Sequence, residues 1–213
     1  MKHIKNEKGN SLVYLLWIFT ATIVLFLIVT NIARVYIVKQ QASSAAELAA
    51  LAATGEILSA TKDAIEEFDE KMEELTPEGT IYKPLWKDIE KKVDSYKSSG
   101  DSEQVALVKA YNELLPDRFG EEPIDLRQII LKSMNELSFQ TKVQSTVENI
   151  VKKNEGNEEH VEVKISTSKF RVEVKTDATY KTLTDGDLLA SFSKDIPQEG
   201  IGPKLLYLKE VLN

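Results

Sequence analysis

Hydrophobic residues are concentrated in one uninterrupted segment, Leu12 to Ala33, which contains no charged side chain. As a helix rising ~1.5 Å per residue, this segment would be about 33 Å long. The hydrocarbon core of a bilayer is ~30 Å thick. Because lipid offers the backbone no hydrogen-bond partners, a lone spanning segment has to be helical. The pattern therefore predicts one transmembrane helix.

A cleaved secretory signal peptide is the main alternative for an apolar segment near an N-terminus. The apolar core of such a peptide has about 7–15 residues and ends at a small-residue cleavage site. The segment here is longer, and the sequence after Ala33 continues in a helical pattern. We therefore favour an uncleaved anchor. A buried core helix is disfavoured, because no other segment is apolar enough to help surround it.

The helical pattern extends well beyond the apolar segment. Neither glycine nor proline occurs between Asn10 and Thr54. The strong helix formers Ala, Leu, Glu, Lys and Gln dominate from Lys39 onward. We predict a single rod from about Asn10 to about Leu75, with Gly55 as the position where it could bend.

Six alanines within the rod recur every four residues in two adjacent rows. Rows of small side chains let a second helix approach closely, which predicts a helix-packing face. The alternative is that alanine serves only as the best helix former. Both interpretations stay open on the sequence alone. We call these residues the alanine face: Ala42, Ala45, Ala46, Ala49, Ala50 and Ala53.

The region after the rod has helical spacing of its apolar residues. This spacing predicts helices over 85–98, 101–115 and 125–153, the last as one helix or two in succession. Asp101 and Asp125 each precede a glutamine by three residues, which is typical of an N-terminal capping box. The region is therefore expected to be mainly helical.

The period of the pattern changes from 3.6 to 2 after residue 160. Alternation over 161–165 and 170–174 predicts an antiparallel hairpin with one buried face. Because a bare hairpin is marginally stable, we expect it to lie on the helices. Leucines over 203–213 predict a short C-terminal helix.

These elements define an α+β protein in which a single transmembrane helix continues into a long pilin-like rod. A helical region and a C-terminal antiparallel hairpin or sheet follow. We divide the chain into a cytoplasmic leader (1–9), a transmembrane helix (10–38), an extracytoplasmic alanine-rich helix (39–76) and an extracytoplasmic α+β domain (77–213).

Charge bears on orientation and on partners. Three lysines and one glutamate precede the apolar segment, and Arg34 and Lys39 follow it. The positive-inside rule then favours a cytoplasmic N-terminus. The chain carries 27 basic and 34 acidic residues, a net charge of −7. Nucleic acid is therefore excluded as a partner, because binding it needs a cationic surface.

Residues able to do chemistry are few. Cysteine is absent and the histidines are His3 and His160. We interpret His160 as a strand-edge residue, because contiguous residues such as Glu158–His160 point to alternating faces and make a poor metal site. Asp185-Gly186-Asp187 lacks the remaining ligands of a calcium loop and is interpreted as a turn. We predict no catalytic, cofactor-binding or metal-binding residue, and no enzyme.

The N-terminal quarter resembles a known family. Lys8-Gly9, the apolar segment, Arg34, Lys39-Gln40-Gln41 and the alanine-rich helix follow one another as they do in TadE/TadG-like proteins of the tight-adherence (Flp, type IVb) pilus assembly system. The resemblance implies a non-enzymatic, prepilin-like or pseudopilin-like membrane component of a pilus or secretion apparatus. Implied partners are the lipid bilayer, other membrane proteins of that apparatus, and a second copy through the N-terminal helix. The alternative is an anchored extracytoplasmic binding module or scaffold.

The resemblance also raises the question of leader processing. Prepilin peptidases cut after a glycine that precedes an apolar helix, which here means between Gly9 and Asn10. Related prepilins carry a glutamate five residues after that glycine, whereas this chain has Tyr14. Because a freed ammonium near lipid needs a counter-charge, we favour an unprocessed anchor that assists assembly over a processed minor pilin.

Overall fold

A computed structural model describes residues 8–78, 80–121, 123–180 and 194–212 of the chain. Within these residues the fold is α+β, as predicted, with a long N-terminal helix, further helices and a three-stranded antiparallel sheet. The helices are α1 Lys8–Leu75, α2 Leu85–Ser98, α3 Glu103–Leu114, α4 Leu126–Asn135, α5 Leu137–Lys153 and α6 Leu208–Val211. The strands are β1 Glu162–Ser166, β2 Arg171–Tyr180 and β3 Lys194–Ile201, and 3-10 turns lie at Pro116–Arg118 and Glu158–His160.

Helix α1 is 68 residues long and continues through Gly55 without interruption. The predicted single rod is thus confirmed. Its first half carries mostly exposed side chains, whereas one side of its second half is buried from Ala42 onward. The second half is the central element of the folded domain, because β2, β3, α4 and α5 all contact α1.

The sheet has the order β1-β2-β3 with antiparallel neighbours. Alternation along β2 places Val172, Val174 and Ala178 on a buried face, at 0%, 0% and 3% exposure. The intervening residues face outward. The predicted hairpin is therefore present and lies on the helices. This packing is required because an isolated hairpin is only marginally stable. The largest fully buried side chains of the core include Tyr111, Tyr207, Phe68, Ile57, Ile65 and Leu85.

A buried carboxylate of α1 accepts hydrogen bonds from the first residues of helix α2. Asp69 Oδ1 accepts hydrogen bonds from the Leu85 backbone N–H at 2.8 Å and the Tyr82 hydroxyl at 2.7 Å. Its Oδ2 accepts one from the Trp86 N–H at 2.9 Å. Two otherwise unpaired N–H groups at the helix start are thereby satisfied. The first residues after the α1–α2 turn are fixed to the central helix.

The third strand was not predicted from the sequence. Strand β3 contains Pro197 and Gly200, both of which are depleted in strands, and so its local pattern gives no strand signal. Proline is tolerated because β3 lies at the edge of the sheet, where one side of the strand needs no partner.

Three local predictions also change. The C-terminal helix is only α6, four residues long, although Leu205 and Leu208 are buried as expected. Asp101 does not cap α3 and instead pairs with Lys109 at 2.6 Å. Asp125 does cap α4, accepting from the backbone N–H of Arg127 at 3.0 Å.

Candidate membrane anchor and alanine face

The first half of α1 projects its apolar side chains away from the rest of the protein. Leu12, Trp17 and Phe26 are 73%, 71% and 69% exposed. Among the described residues, α1 is the one helix long and apolar enough to cross a membrane, and its most apolar stretch is entirely unburied. A continuous exposed apolar surface of this extent marks a membrane or protein interaction site. This arrangement is consistent with a single-pass membrane anchor.

Three threonine hydroxyls inside the apolar stretch are satisfied by the helix itself. The hydroxyls of Thr20, Thr22 and Thr30 each donate to the carbonyl four residues earlier, at 2.9, 2.8 and 2.8 Å. Unpaired hydroxyls would be costly in hydrocarbon. These internal bonds make the three threonines compatible with lipid.

Exposed aromatic residues lie near both ends of the stretch. Tyr14 and Trp17 are near its start and Tyr36 near its end, and all three are exposed. Tyr14 and Tyr36 are separated by about 33 Å of helix at ~1.5 Å per residue. Tyrosine and tryptophan concentrate at the two membrane–water interfaces. Their spacing matches the thickness of one bilayer.

Gly9 and Asn10 lie in the first turn of α1, which begins at Lys8. The proposed leader 1–9 falls almost entirely outside the described residues.

The six residues of the alanine face are all fully buried. Strand β3 crosses them with its backbone almost against the backbone of α1. A Cβ placed on Gly200 would lie 2.0 Å from the carbonyl oxygen of Ala46, and one on Gly202 would lie 2.4 Å from Thr54 Oγ1. Small residues are thus needed on both surfaces, because any larger side chain would separate strand and helix.

The end of α5 reaches the same face from the other side. A Cβ on Gly156 would lie 3.3 Å from the Ala45 Cβ and 2.7 Å from Val151 Cγ1. Within the described structure, the surface that covers the alanine face is therefore intramolecular. It consists of the chain's own sheet together with α5, rather than of a helix alone.

The junction between the apolar half and the folded domain is held by polar contacts. Gln41 Nε2 donates to Glu155 Oε2 at 2.7 Å, which ties α1 to the loop after α5. A cleft of about 320 Å³ lies beside this contact, lined by Arg34, Ile37, Val38, Gln41, Glu155, Ala178 and Thr179. The end of β2 therefore lies next to the point where α1 leaves its apolar stretch.

Titratable groups in the core have a structural role. Tyr111 and Tyr207 pack edge to face with ring centroids 5.9 Å apart. Burial raises the pKa of both phenols above the ordinary range, so they stay neutral. The Tyr207 hydroxyl lies 2.8 Å from Thr61 Oγ1, which leaves that buried hydroxyl paired.

His160 lies in a 3-10 turn before β1, and not at the strand edge where the sequence placed it. Its Nδ1 is 2.9 Å from Asp177 Oδ2. Glu158 pairs with Lys152 instead, at 2.8 Å, so these two members of the 158–160 run have different partners. Asp185-Gly186-Asp187 lies outside the described residues. The sequence gives no sign that His160 lies beside Asp177, because the two residues are 17 positions apart.

A known protein family matches the N-terminal part of the chain. Residues 9–56 match the family described as Flp pilus-assembly TadE/G-like. No curated protein and no solved structure matches the chain. The matched residues include both the exposed apolar half of α1 and the whole alanine face. The N-terminal region of this chain is thus TadE/G-like, in agreement with the resemblance of its sequence.

Proposed function

We propose that the protein is a non-enzymatic, single-pass membrane component of a Tad-type pilus assembly or secretion apparatus. The observation that carries this proposal is the family match over 9–56, which coincides with one continuous helix. The N-terminus is assigned to the cytoplasm from the lysines before the apolar stretch. The region from 39 onward is assigned to the outside of the membrane.

The role proposed for the folded domain is to present a surface at a fixed position relative to the anchor. Helix α1 enters the domain unbroken, and the alanine face is clamped by β3 and α5. The partners expected for this surface are other membrane proteins of the apparatus. Self-association, if it occurs, is assigned to the exposed apolar half, because the alanine face is already covered.

Pilus assembly in living cells tests this role. Cells lacking the chain should lose surface pili, and the full chain should restore them. A Leu25→Arg variant should fail, because a charge at the centre of a span costs about 2.5–3.5 kcal/mol on insertion scales. Leu25→Val, which keeps the position apolar, should restore pili. Normal pili in cells without the chain would exclude the pilus role and favour an anchored binding module.

Protease shaving of intact cells tests the orientation separately. The region after residue 39 should be degraded from outside, while a reporter fused to the N-terminus should stay protected. Protection of the C-terminal region would reverse the proposed orientation, whatever the result of the pilus assay.

N-terminal sequencing of the membrane-extracted protein tests the proposal that the leader is retained. Cleavage between Gly9 and Asn10 would leave an ammonium close to lipid, and Tyr14 offers no counter-charge. Tyr14 is instead exposed on the helix surface, as suits an interfacial aromatic residue. An intact leader is expected, and a mature chain beginning at Asn10 would contradict this reasoning.

A further inference from the structure

Three side chains from separate segments converge at one end of the sheet. His160 comes from the 3-10 turn, Asp177 from β2 and Asp195 from β3. Each offers one nitrogen or oxygen ligand atom, and the three atoms lie within 4.8 Å of one another. One imidazole and two carboxylates form a donor set suited to a divalent transition-metal ion.

The strand register explains why the two aspartates meet. Asp195 of β3 is paired with Thr179 of β2, and side chains directly opposite each other share one face. Asp177 lies two residues before Thr179 and so shares that outer face. The Thr179 hydroxyl donates to Asp195 Oδ1 at 2.8 Å, which orients this carboxylate.

The position of His160 is fixed by the backbone around it. The Asn157 N–H donates to the Asp177 carbonyl at 2.8 Å, and Thr176 Oγ1 donates to the Asn157 carbonyl at 3.2 Å. Asn157 Nδ2 also lies 3.1 Å from His160 Nδ1. The 3-10 turn is thereby held against β2 with its imidazole beside Asp177.

Asp177 contains a carboxylate oxygen that lacks a partner. Its side chain is only 15% exposed, and Oδ1 is buried without a hydrogen bond. Leaving a buried carboxylate oxygen unpaired is costly. Elsewhere on the same outer face, Glu173 is paired with both Lys169 and Arg171, at 3.0 and 3.2 Å. Among the ion pairs of the described residues, Asp177 has no lysine or arginine partner.

We propose that His160, Asp177 and Asp195 bind a divalent metal ion of the zinc type. The imidazole nitrogen and the two carboxylate oxygens supply three ligands, and water completes the coordination. The ion provides the positive charge that the buried carboxylate lacks. The ion also cross-links the 3-10 turn, β2 and β3. The cleft lined by Arg34, Gln41 and Thr179 includes the end of β2 that carries Asp177. Metal binding therefore stabilises the end of the domain nearest the anchor.

Zinc titration of the full chain in detergent micelles tests the proposal. All proteins carry His3→Gln, which removes the other histidine of the chain. Calorimetry with zinc chloride should show one saturable site in this background. His160→Gln and Asp195→Asn should each weaken binding at least about tenfold, because each removes one of three protein ligands. Glu199→Gln is the matched control, since it removes an exposed carboxylate from the same strand and face without touching the cluster.

Folding and binding are separated by the choice of variants. Asp177→Asn can fail to fold because Asp177 is largely buried, so the exposed His160 and Asp195 carry the test. Circular dichroism of each variant without metal should match the parent. Zinc should also raise the unfolding temperature of the parent and of Glu199→Gln, but not of the ligand variants. Absence of zinc binding by the folded parent, or unchanged affinity in both ligand variants, overturns the proposal.

Discussion

Gly200 of β3 lies directly against the backbone of α1, and its replacement by alanine should destabilise the fold strongly. The new Cβ would lie 2.0 Å from the Ala46 carbonyl oxygen and 2.4 Å from the Glu47 amide nitrogen. Non-bonded contacts between carbon atoms are optimal at ~3.5–4.0 Å, so β3 would have to retreat by more than about 1 Å. The atoms it meets belong to a helix backbone and cannot rotate away.

The expected loss in the free energy of unfolding lies at the upper end of the range for overpacked cores. Inserting a methyl group into a well-packed site costs about 1–3 kcal/mol and sometimes more. Here the retreat also draws Val174, the register partner of Gly200, away from α1. We expect a loss of about 3 kcal/mol, which for a domain of this size lowers the unfolding temperature by about 6–12 °C.

Thermal unfolding of the full chain in micelles, followed by circular dichroism, measures this loss. Gly100→Ala is the control, because Gly100 has a φ of +100° and nothing within 4 Å of an added Cβ. Its cost is conformational only, about 1–2 kcal/mol. Adding Ala46→Gly to Gly200→Ala should not restore stability, since the clash involves the carbonyl and not the Ala46 methyl. A loss no larger than that of Gly100→Ala, or a rescue by Ala46→Gly, would refute the reasoning.

Three further substitutions test the packing and the caps. Asp69→Asn should cost about 1–3 kcal/mol in urea unfolding, because an amide replaces a buried carboxylate that accepts three hydrogen bonds; an unchanged midpoint would show that the cap is dispensable. Ala49→Leu should cost about 1–3 kcal/mol by overpacking the alanine face, and wild-type stability would mean that this position is not tightly covered. Hydrogen bonds from Arg127 lower the pKa of Asp125, so its contribution is complete above the ordinary pKa of ~3.9 and is lost as the pH falls through the lower folded value. Asp125→Asn should therefore weaken the pH dependence of stability below about pH 4, and an identical acid profile would contradict the assignment.

The long helix could be predicted because its signals are local. An uncharged segment long enough to span a bilayer needs no tertiary information, and an alanine-rich continuation with Gly55 as its one glycine is helical by propensity alone. The same holds for the strands around Val163 and Val172, whose period of 2 is clear. In these regions the local preference and the final structure agree.

Strand β3 shows where local reasoning fails. Pro197 and Gly200 argue against a strand, yet Gly200 is required because only glycine can lie against the Ala46 carbonyl. The residue that weakens the local signal is the one that tertiary packing needs. Sequence identified the small residues on the helix, but not the small residues on the surface that covers them.

The cluster of His160, Asp177 and Asp195 could not be predicted from the sequence, for a different reason. Its members come together through the register of β2 and β3, and the sequence alone does not give the pairing of two strands. A one-residue shift of register would move Asp195 to the opposite face. Glu158 and His160, which are contiguous with Glu159 in the sequence, have different partners in the fold.

Helix α1 makes the anchor and the domain mechanically continuous. The apolar stretch and the alanine face belong to one helix, with no glycine or proline between Asn10 and Thr54 to serve as a hinge. Gly200 and Gly202 cover the alanine face closely, because an added Cβ would lie 2.0 Å from the Ala46 carbonyl oxygen at Gly200 and 3.3 Å from the Ala50 carbonyl oxygen at Gly202. If the apolar stretch is the membrane anchor proposed above, we expect a tilt of that stretch to move the folded domain with it. The small residues on both surfaces allow this close packing of the sheet on α1, because an added Cβ at Gly200 would meet the Ala46 carbonyl oxygen and push β3 away from the helix.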